Sequence, residues 1–294
     1  MIDLDAAQGF MATHARLLDR RRFDVLLHGA GHDCARAALG AYRNPDGGYG
    51  WGLEPDLRDT TSQPGAALHA FGVFEDIAPS TSPRSAELCD WLASAALPDG
   101  GLPFAPPVRR RAGCAPFWAN ADPTVSSLQI TAVVTAVAHR VAAHDPRVAE
   151  HPWLARSTAF CLAAIEALGD APHALELAFA LQFLDAVHDT RPEAGDLIAR
   201  LGRHIPPTGS STAGAASRTR CCARPTSPRR PTAPCGSCSR RRRSPRARAA
   251  SSRGAAARRR LDRGLRELLA RRGPRMARPM TVHAVWILRR DGIV

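Results

Sequence analysis

The chain has 294 residues, enough to bury a sizeable core, and 45% of them are hydrophobic. Its formal net charge of +13 suggests at first sight an anionic partner. However, 21 arginines and only two acidic residues lie between positions 206 and 280. The rest of the chain is slightly acidic, which is an ordinary charge balance for a soluble globular protein.

The amino-terminal segment carries Asp and His where a signal peptide needs an uninterrupted apolar core. No stretch reaches the roughly 18–20 apolar residues that span a bilayer. We therefore expect a cytoplasmic protein without a transmembrane segment. Four cysteines outside the arginine-rich segment lack the spacing of metal ligands, and we expect them to be mostly small core residues: Cys34, Cys89, Cys114 and Cys161.

Helical spacing of apolar residues dominates the chain as far as position 203. Ser62 is the expected cap of one helix, with Pro64 in its first turn. Almost no segment alternates as a strand does, so the pattern predicts an all-α fold. Helices are predicted at 6–27, from 33 onward, and at 62–77, 85–97, 127–143, 153–168, 173–187 and 192–201.

Two helical segments end in the same tripeptide, Asp-Gly-Gly, at positions 46–48 and 99–101. Glycine permits the positive φ that ends a helix, and aspartate can accept hydrogen bonds from the backbone donors at the turn. A recurrence near 50 residues in a helical chain predicts repeated helical hairpins, which bury their apolar faces against one another.

Three segments carry a resemblance to a known family: NPDGGYGWGLEPDLRDTTSQP from Asn44, LPDGGLPF from Leu97 and HPWLARSTAFCLAAIEAL from His151. They resemble the α/α-toroid superfamily of terpenoid cyclases and protein prenyltransferases, most closely its small actinobacterial prenyltransferase-like members. The match covers about Phe10 to Arg203 and the last dozen residues. It implies an α/α toroid, which is a barrel of helical hairpins around a central apolar cavity. The toroid domain is expected at 1–205, and a separate segment at 281–294 is expected to supply its terminal helix.

The segment 206–280 contains no aromatic residue, no Val and no Ile, so it cannot bury enough apolar surface to offset its ordering entropy. We expect this low-complexity Arg/Pro/Ser-rich segment to be disordered or frame-shifted. A basic linker and a tail for anionic surfaces are the alternatives, and we favour a wrong reading frame over both. Back-translating positions 257–266 with GC-rich codons and reading one base later yields Pro-Asp-Gly-Gly-Trp, a third copy of the repeat. Zinc at its cysteines is disfavoured because no His lies at ligand spacing. Specific nucleic-acid binding is disfavoured because no aromatic platform is present.

The candidate site lies in the acidic and aromatic loop at 44–64. Glu54, Asp56 and Arg58 are the candidate catalytic residues: the acids could donate a proton or stabilise a cation, and Arg58 could pair with a phosphate. Asp59 completes the local acid cluster, but the Asp-x-Asp-Asp pattern of protonating cyclases is absent. The candidate substrate-binding residues are Tyr49, Trp51, Ser62, Gln63, Phe104 and Trp118, whose rings could line an isoprenoid cavity.

The structural alternative assigns the same residues to loop architecture. Arg58 would then form a salt bridge with Asp56 or Glu54, and Ser62 and Gln63 would cap the next helix. Two functions follow: an isoprenoid-handling enzyme of the prenyltransferase or cyclase kind, or a catalytically inactive toroid that acts as a binding or scaffold protein. No cofactor is expected, and the partners suggested are an apolar isoprenoid ligand and at most a peripheral membrane contact.

Overall fold

The computed structural model describes residues 4–204, and all regular secondary structure in this part of the chain is helical. The all-α prediction is confirmed. The helices are α1 (Leu4–His14), α2 (Leu17–His28), α3 (His32–Gly40), α4 (Pro64–Asp76), α5 (Pro83–Ala95), α6 (Pro116–Ala119), α7 (Leu128–Ala142), α8 (Pro146–Ala149), α9 (Pro152–Glu166), α10 (Ala174–Val187) and α11 (Glu193–Leu201), followed by a 3₁₀ turn at Gly202–His204.

Helix α7 is the centre of the packing. It contacts α4 on one side and α10 on the other, and α9 also packs against it. Eleven of its 15 residues are buried, as its almost uninterrupted apolar sequence requires. Helices α4, α7 and α10 thus form an inner row, while α5 contacts α9 and α10 contacts α11.

The two Asp-Gly-Gly corners have the same geometry. Gly47 and Gly100 have φ of +89° and +88°, the left-handed conformation that favours glycine. In the first corner Oδ1 of Asp46 accepts from the N–H of Gly48 at 2.9 Å and from the hydroxyl of Ser62 at 2.8 Å. The second corner repeats these bonds, from Gly101 N–H to Asp99 at 3.0 Å and from Ser126 to Asp99 at 2.6 Å.

Each corner also packs closely against a later helix, the first corner against α5 and the second against α9. A Cβ at Gly47 would lie 3.0 Å from the carbonyl oxygen of Glu87, and one at Gly100 would lie 3.0 Å from that of Arg156. The corners therefore join α3 to α4 and α5 to α7 as two copies of one unit. The connection from α9 to α10 spans only 167–173 and has no Asp-Gly-Gly. Among residues 4–204 the helices of the two units pack against one another, and closure into a ring stays a prediction.

Several helix boundaries differ from the prediction by one or two residues, and the short helices α6 and α8 were not predicted. Two of the differences have an identifiable cause. The single helix expected at 6–27 is broken at Arg16, whose backbone is extended with ψ of 156°. Its guanidinium donates to the carbonyls of Gly52 and Leu53 and pairs with Asp19, so tertiary contacts set the break. The expected cap of α4 is also wrong, because Gln63 occupies that position and the hydroxyl of Ser62 is bonded to Asp46.

Of the four cysteines, Cys89 and Cys161 are buried core residues, Cys114 is partly buried and Cys34 is exposed. Burial raises the pKa of both buried thiols, which keeps them protonated and unreactive. Within residues 4–204 no helix is long and apolar enough to cross a membrane. The predictions for 206–280, including the altered reading frame, and for the helix at 281–294 fall outside the described residues.

Candidate functional site

A buried carboxylate–imidazole pair lies at the start of the inner row. Glu54 comes from the loop that follows the first corner, and its Oε2 is 3.0 Å from Nε2 of His69 on α4. The side chains are only 9% and 16% exposed. Oε1 of Glu54 also accepts from the N–H of Asp56 at 3.2 Å. Since burial strengthens hydrogen bonds to a carboxylate, the pair is held in a defined geometry.

Two of the predicted aromatic residues lie beside this pair. The rings of Phe104 and Trp118 are stacked with centroids 4.4 Å apart. A Cβ at Gly65, in the first turn of α4, would lie 3.1 Å from Cη2 of Trp118 and 3.5 Å from Cγ of Glu54. Glycine at this position therefore lets the indole and the carboxylate side chain approach the same point of the helix.

The second corner loop, between α5 and α6, is held against the first corner loop, between α3 and α4, by a backbone hydrogen bond. The N–H of Ala115 donates to the carbonyl of Asp56 at 2.8 Å, just before the short helix α6 that carries Trp118. Phe117 of α6 is 52% exposed and lies edge-on to Phe104. The aromatic group thus extends from the buried Glu54 outward to the surface.

Arg58 is exposed, and it has no carboxylate partner among residues 4–204. Its aliphatic part packs over Gly52 and Gly113, where added Cβ atoms would lie 3.6 Å and 3.3 Å from it. The salt bridge of the structural alternative is absent from the described part of the chain, and Glu54 is paired with His69 instead. The guanidinium is therefore available to an anionic group.

The remaining predicted residues serve the loop itself. Ser62 accepts from Nδ2 of Asn44 at 2.9 Å, and the N–H of Gln63 donates to the carbonyl of Tyr49 at 2.9 Å. Tyr49 is fully buried, and this burial raises the pKa of its hydroxyl to about 12. Trp51 is 57% exposed, with φ of +56° and its indole N–H bonded to Asn44 at 2.8 Å.

Two residues of this region were not among the predicted site residues. His69 lies on an apolar helix, where histidine is usually a core or rim residue. Its partner Glu54 lies in the loop that precedes this helix. Asp59 is 1% exposed and binds backbone donors of both corner loops. The acid cluster was the only signal for Asp59, and no local signal identified His69.

Among the described residues no group of three or more His, Cys, Asp or Glu side chains is arranged to hold a metal ion. The side chains of the Glu54 site can supply proton transfer and electrostatic stabilisation. Compared with protein-family models, with curated proteins and with solved structures, the chain gives no match.

Proposed function

We propose that the chain is a prenyltransferase-like or terpene-cyclase-like protein that binds an isoprenoid, either a prenyl diphosphate or a polyprene. The observation that carries the proposal is the buried Glu54–His69 pair, 3.0 Å between Oε2 and Nε2, beside the stacked rings of Phe104 and Trp118. A proton donor among apolar and aromatic side chains suits an alkene, which offers no polar handle.

Each group has a distinct role in this proposal. In its protonated form the carboxyl of Glu54 transfers that proton to an alkene carbon, and the π electrons of that double bond form the new C–H bond and leave a carbocation. The faces of Phe104 and Trp118 stabilise the cation. Loss of a proton from a neighbouring carbon to the Glu54 carboxylate restores both the alkene and the acid, and His69 orients the carboxylate throughout.

Arg58 and Asp56 complete the proposed site. The exposed guanidinium, without a carboxylate partner in residues 4–204, suits the diphosphate of a prenyl substrate. Asp56 holds Glu54 through its N–H. Tyr49, by contrast, contributes to the proposed function only through the packing of the loop, because its ring is fully buried.

A binding or scaffold function without chemistry is the second candidate, and one observation favours it. Many polar groups of the first corner are occupied by internal bonds: Asp46 and Asn44 bind Ser62, and Asp59 binds Thr60 and Thr61. Such a network stabilises the corner whether or not any ligand binds.

Incubation of the full chain with isotope-labelled prenyl diphosphates tests both candidates. We expect products from the wild type and a loss of about 10²-fold or more in turnover for Glu54→Gln, the scale of a missing acid–base group. Glu166→Gln, which changes an exposed glutamate of α9, is the matched control. Binding without turnover would support the scaffold function, whereas neither binding nor turnover would contradict the enzyme proposal.

A further inference from the structure

A second region of the molecule has the character of a binding site. A cleft of about 220 Å³ lies where α3, the end of α4 and the start of α5 meet. It is separate from the Glu54 site, because Phe74 follows Gly65 by about 13 Å along α4 at 1.5 Å per residue. The lining residues are Arg36, Ala37, Leu39, Phe74, Ser82 and Arg84.

The two arginines give the cleft its charge. Arg84 has no hydrogen-bond or carboxylate partner for its guanidinium within residues 4–204, and its Nη1 lies 3.2 Å from where a Cβ on Gly40 would be. Arg36 donates to the carbonyl of Thr81 at 3.4 Å and pairs with Asp33, whose side chain is 90% exposed. An ion pair with so exposed a carboxylate is weak, so a ligand anion can compete for Arg36.

The positive charge near Arg84 is only partly balanced by carboxylates. The charges of Arg84, Arg43 and Glu87 all act on the buried hydroxyl of Tyr49, and Arg43 pairs with Glu87 at 2.6 Å. The guanidinium of Arg84 keeps no carboxylate partner within residues 4–204, so it is open to a ligand anion.

The start of α5 adds to the same potential. Ser82 caps this 13-residue helix and lines the cleft, so the positive end of the helix macrodipole lies at the cleft. Leu39, Phe74 and Ala37 supply an apolar part of the lining. The combination suits a ligand that is negatively charged at one end and apolar elsewhere.

We propose that this cleft binds the phosphoryl group of a compact phosphate monoester, with Arg36 and Arg84 on its oxygens. Guanidinium groups match phosphate geometry, and two of them with a helix amino terminus suit a dianion better than a carboxylate. The site does not depend on the isoprenoid chemistry proposed above, since none of its lining residues belongs to the Glu54 site.

Isothermal titration calorimetry on the full chain, with phenyl phosphate, inorganic phosphate and benzoate as probes, tests the proposal. We expect phenyl phosphate to bind with a Kd of roughly 1 mM or below, inorganic phosphate more weakly because it lacks the apolar part, and benzoate most weakly. No saturable binding of phenyl phosphate, or tighter binding of benzoate than of phenyl phosphate, would overturn it.

Arginine variants locate the binding. Arg84→Gln should weaken phenyl phosphate binding by about tenfold or more, as expected for a charged hydrogen bond, and Arg36→Gln should also weaken it. Arg156→Gln, which changes an exposed arginine of α9, is the control and should retain wild-type affinity. Wild-type affinity in folded Arg36→Gln, or loss of binding in Arg156→Gln, would contradict the assignment, even if Arg84→Gln failed to fold.

Discussion

The carboxylate of Asp59 accepts a hydrogen bond of 2.9 Å from the backbone N–H of Arg109, which joins the two corner loops. The same carboxylate accepts from the N–H of Thr60 and the hydroxyl of Thr61. Burial opposes the ionisation of Asp59, but these bonds outweigh it and hold its pKa below the ordinary value of 3.8. The ionised carboxylate is therefore a structural element of the corner.

We expect Asp59→Asn to lower the free energy of unfolding by about 1–3 kcal/mol at pH 7, because an amide nitrogen cannot accept these bonds. A carboxyl group whose pKa is lower in the folded chain than in the unfolded chain stabilises the fold at pH values above its unfolded-state pKa. This contribution is lost as the pH falls through the folded-state pKa. The difference between wild type and variant, measured by urea unfolding, should shrink below pH 3.8. Asp170→Asn, at an exposed position, should change little; a constant difference at all pH values would contradict the role of the charge.

The corner glycines allow two effects to be separated. Gly47→Ala combines a strained φ of +89° with a Cβ 3.0 Å from the carbonyl of Glu87, whereas Gly29→Ala has φ of +61° and open space. We expect Gly29→Ala to destabilise by about 1 kcal/mol and Gly47→Ala by about 2–3 kcal/mol. Gly169→Ala, with neither feature, is the control. Chemical denaturation should give this order, and equal effects at 29 and 47 would show that the clash is relieved.

His139 should make stability depend on pH. Burial, with a smaller contribution from the charge of Arg191, lowers its pKa to about 4 from 6.5, while its Nε2 is 2.8 Å from the hydroxyl of Thr158. Between pH 6.5 and about pH 4, His139 binds a proton in the unfolded chain but not in the folded chain. Stability is therefore lost as the pH falls from 6.5 toward 4, by up to about 3 kcal/mol.

Comparison with His139→Gln isolates this contribution, because glutamine keeps an N–H donor and does not titrate. The wild type should lose more stability than the variant between pH 7 and pH 5 in urea unfolding. His188→Gln, at an exposed histidine, should follow the wild type. Parallel pH profiles for wild type and His139→Gln would show that the histidine is protonated in the folded state.

Glu54 should contribute to stability as well as to the proposed chemistry. Glu54→Ala leaves Nε2 of His69 and the N–H of Asp56 without this acceptor, and we expect a loss of about 1–3 kcal/mol. Glu166→Ala, at an exposed position, should stay within about 0.5 kcal/mol of the wild type. Thermal unfolding measures both, and equal midpoints for Glu54→Ala and the wild type would show that the pair is not held in solution.

Local patterns were sufficient for most of the helices. The apolar spacing of the segment at 127–143 predicted α7 to within one residue at each end. The tripeptides at 46–48 and 99–101 predicted two corners, because the left-handed conformation of Gly47 and Gly100 strongly favours glycine. The break at Arg16 was not predictable, since it depends on carbonyls of Gly52 and Leu53 that are distant in the chain.

The candidate site was predicted only in part, because its interacting residues are also distant from one another in the chain. The acidic loop identified Glu54, and the rings of Phe104 and Trp118 were expected to lie near it. The partner of Glu54 was not identified, because an isolated histidine on an apolar helix carries no local sign of function. Arg36 and Arg84 likewise come from separate helices and share a cleft only after α3, α4 and α5 have packed.

The sequence by itself therefore determined the helical class, the positions of most helices and the two glycine corners, because these depend on spacing and backbone freedom within a few residues. Only the tertiary structure decided which carboxylates are buried, which of them bind backbone donors and which arginines lack a partner. Those outcomes depend on burial and on distances between groups far apart in the chain, and both are set when the inner helices pack against one another.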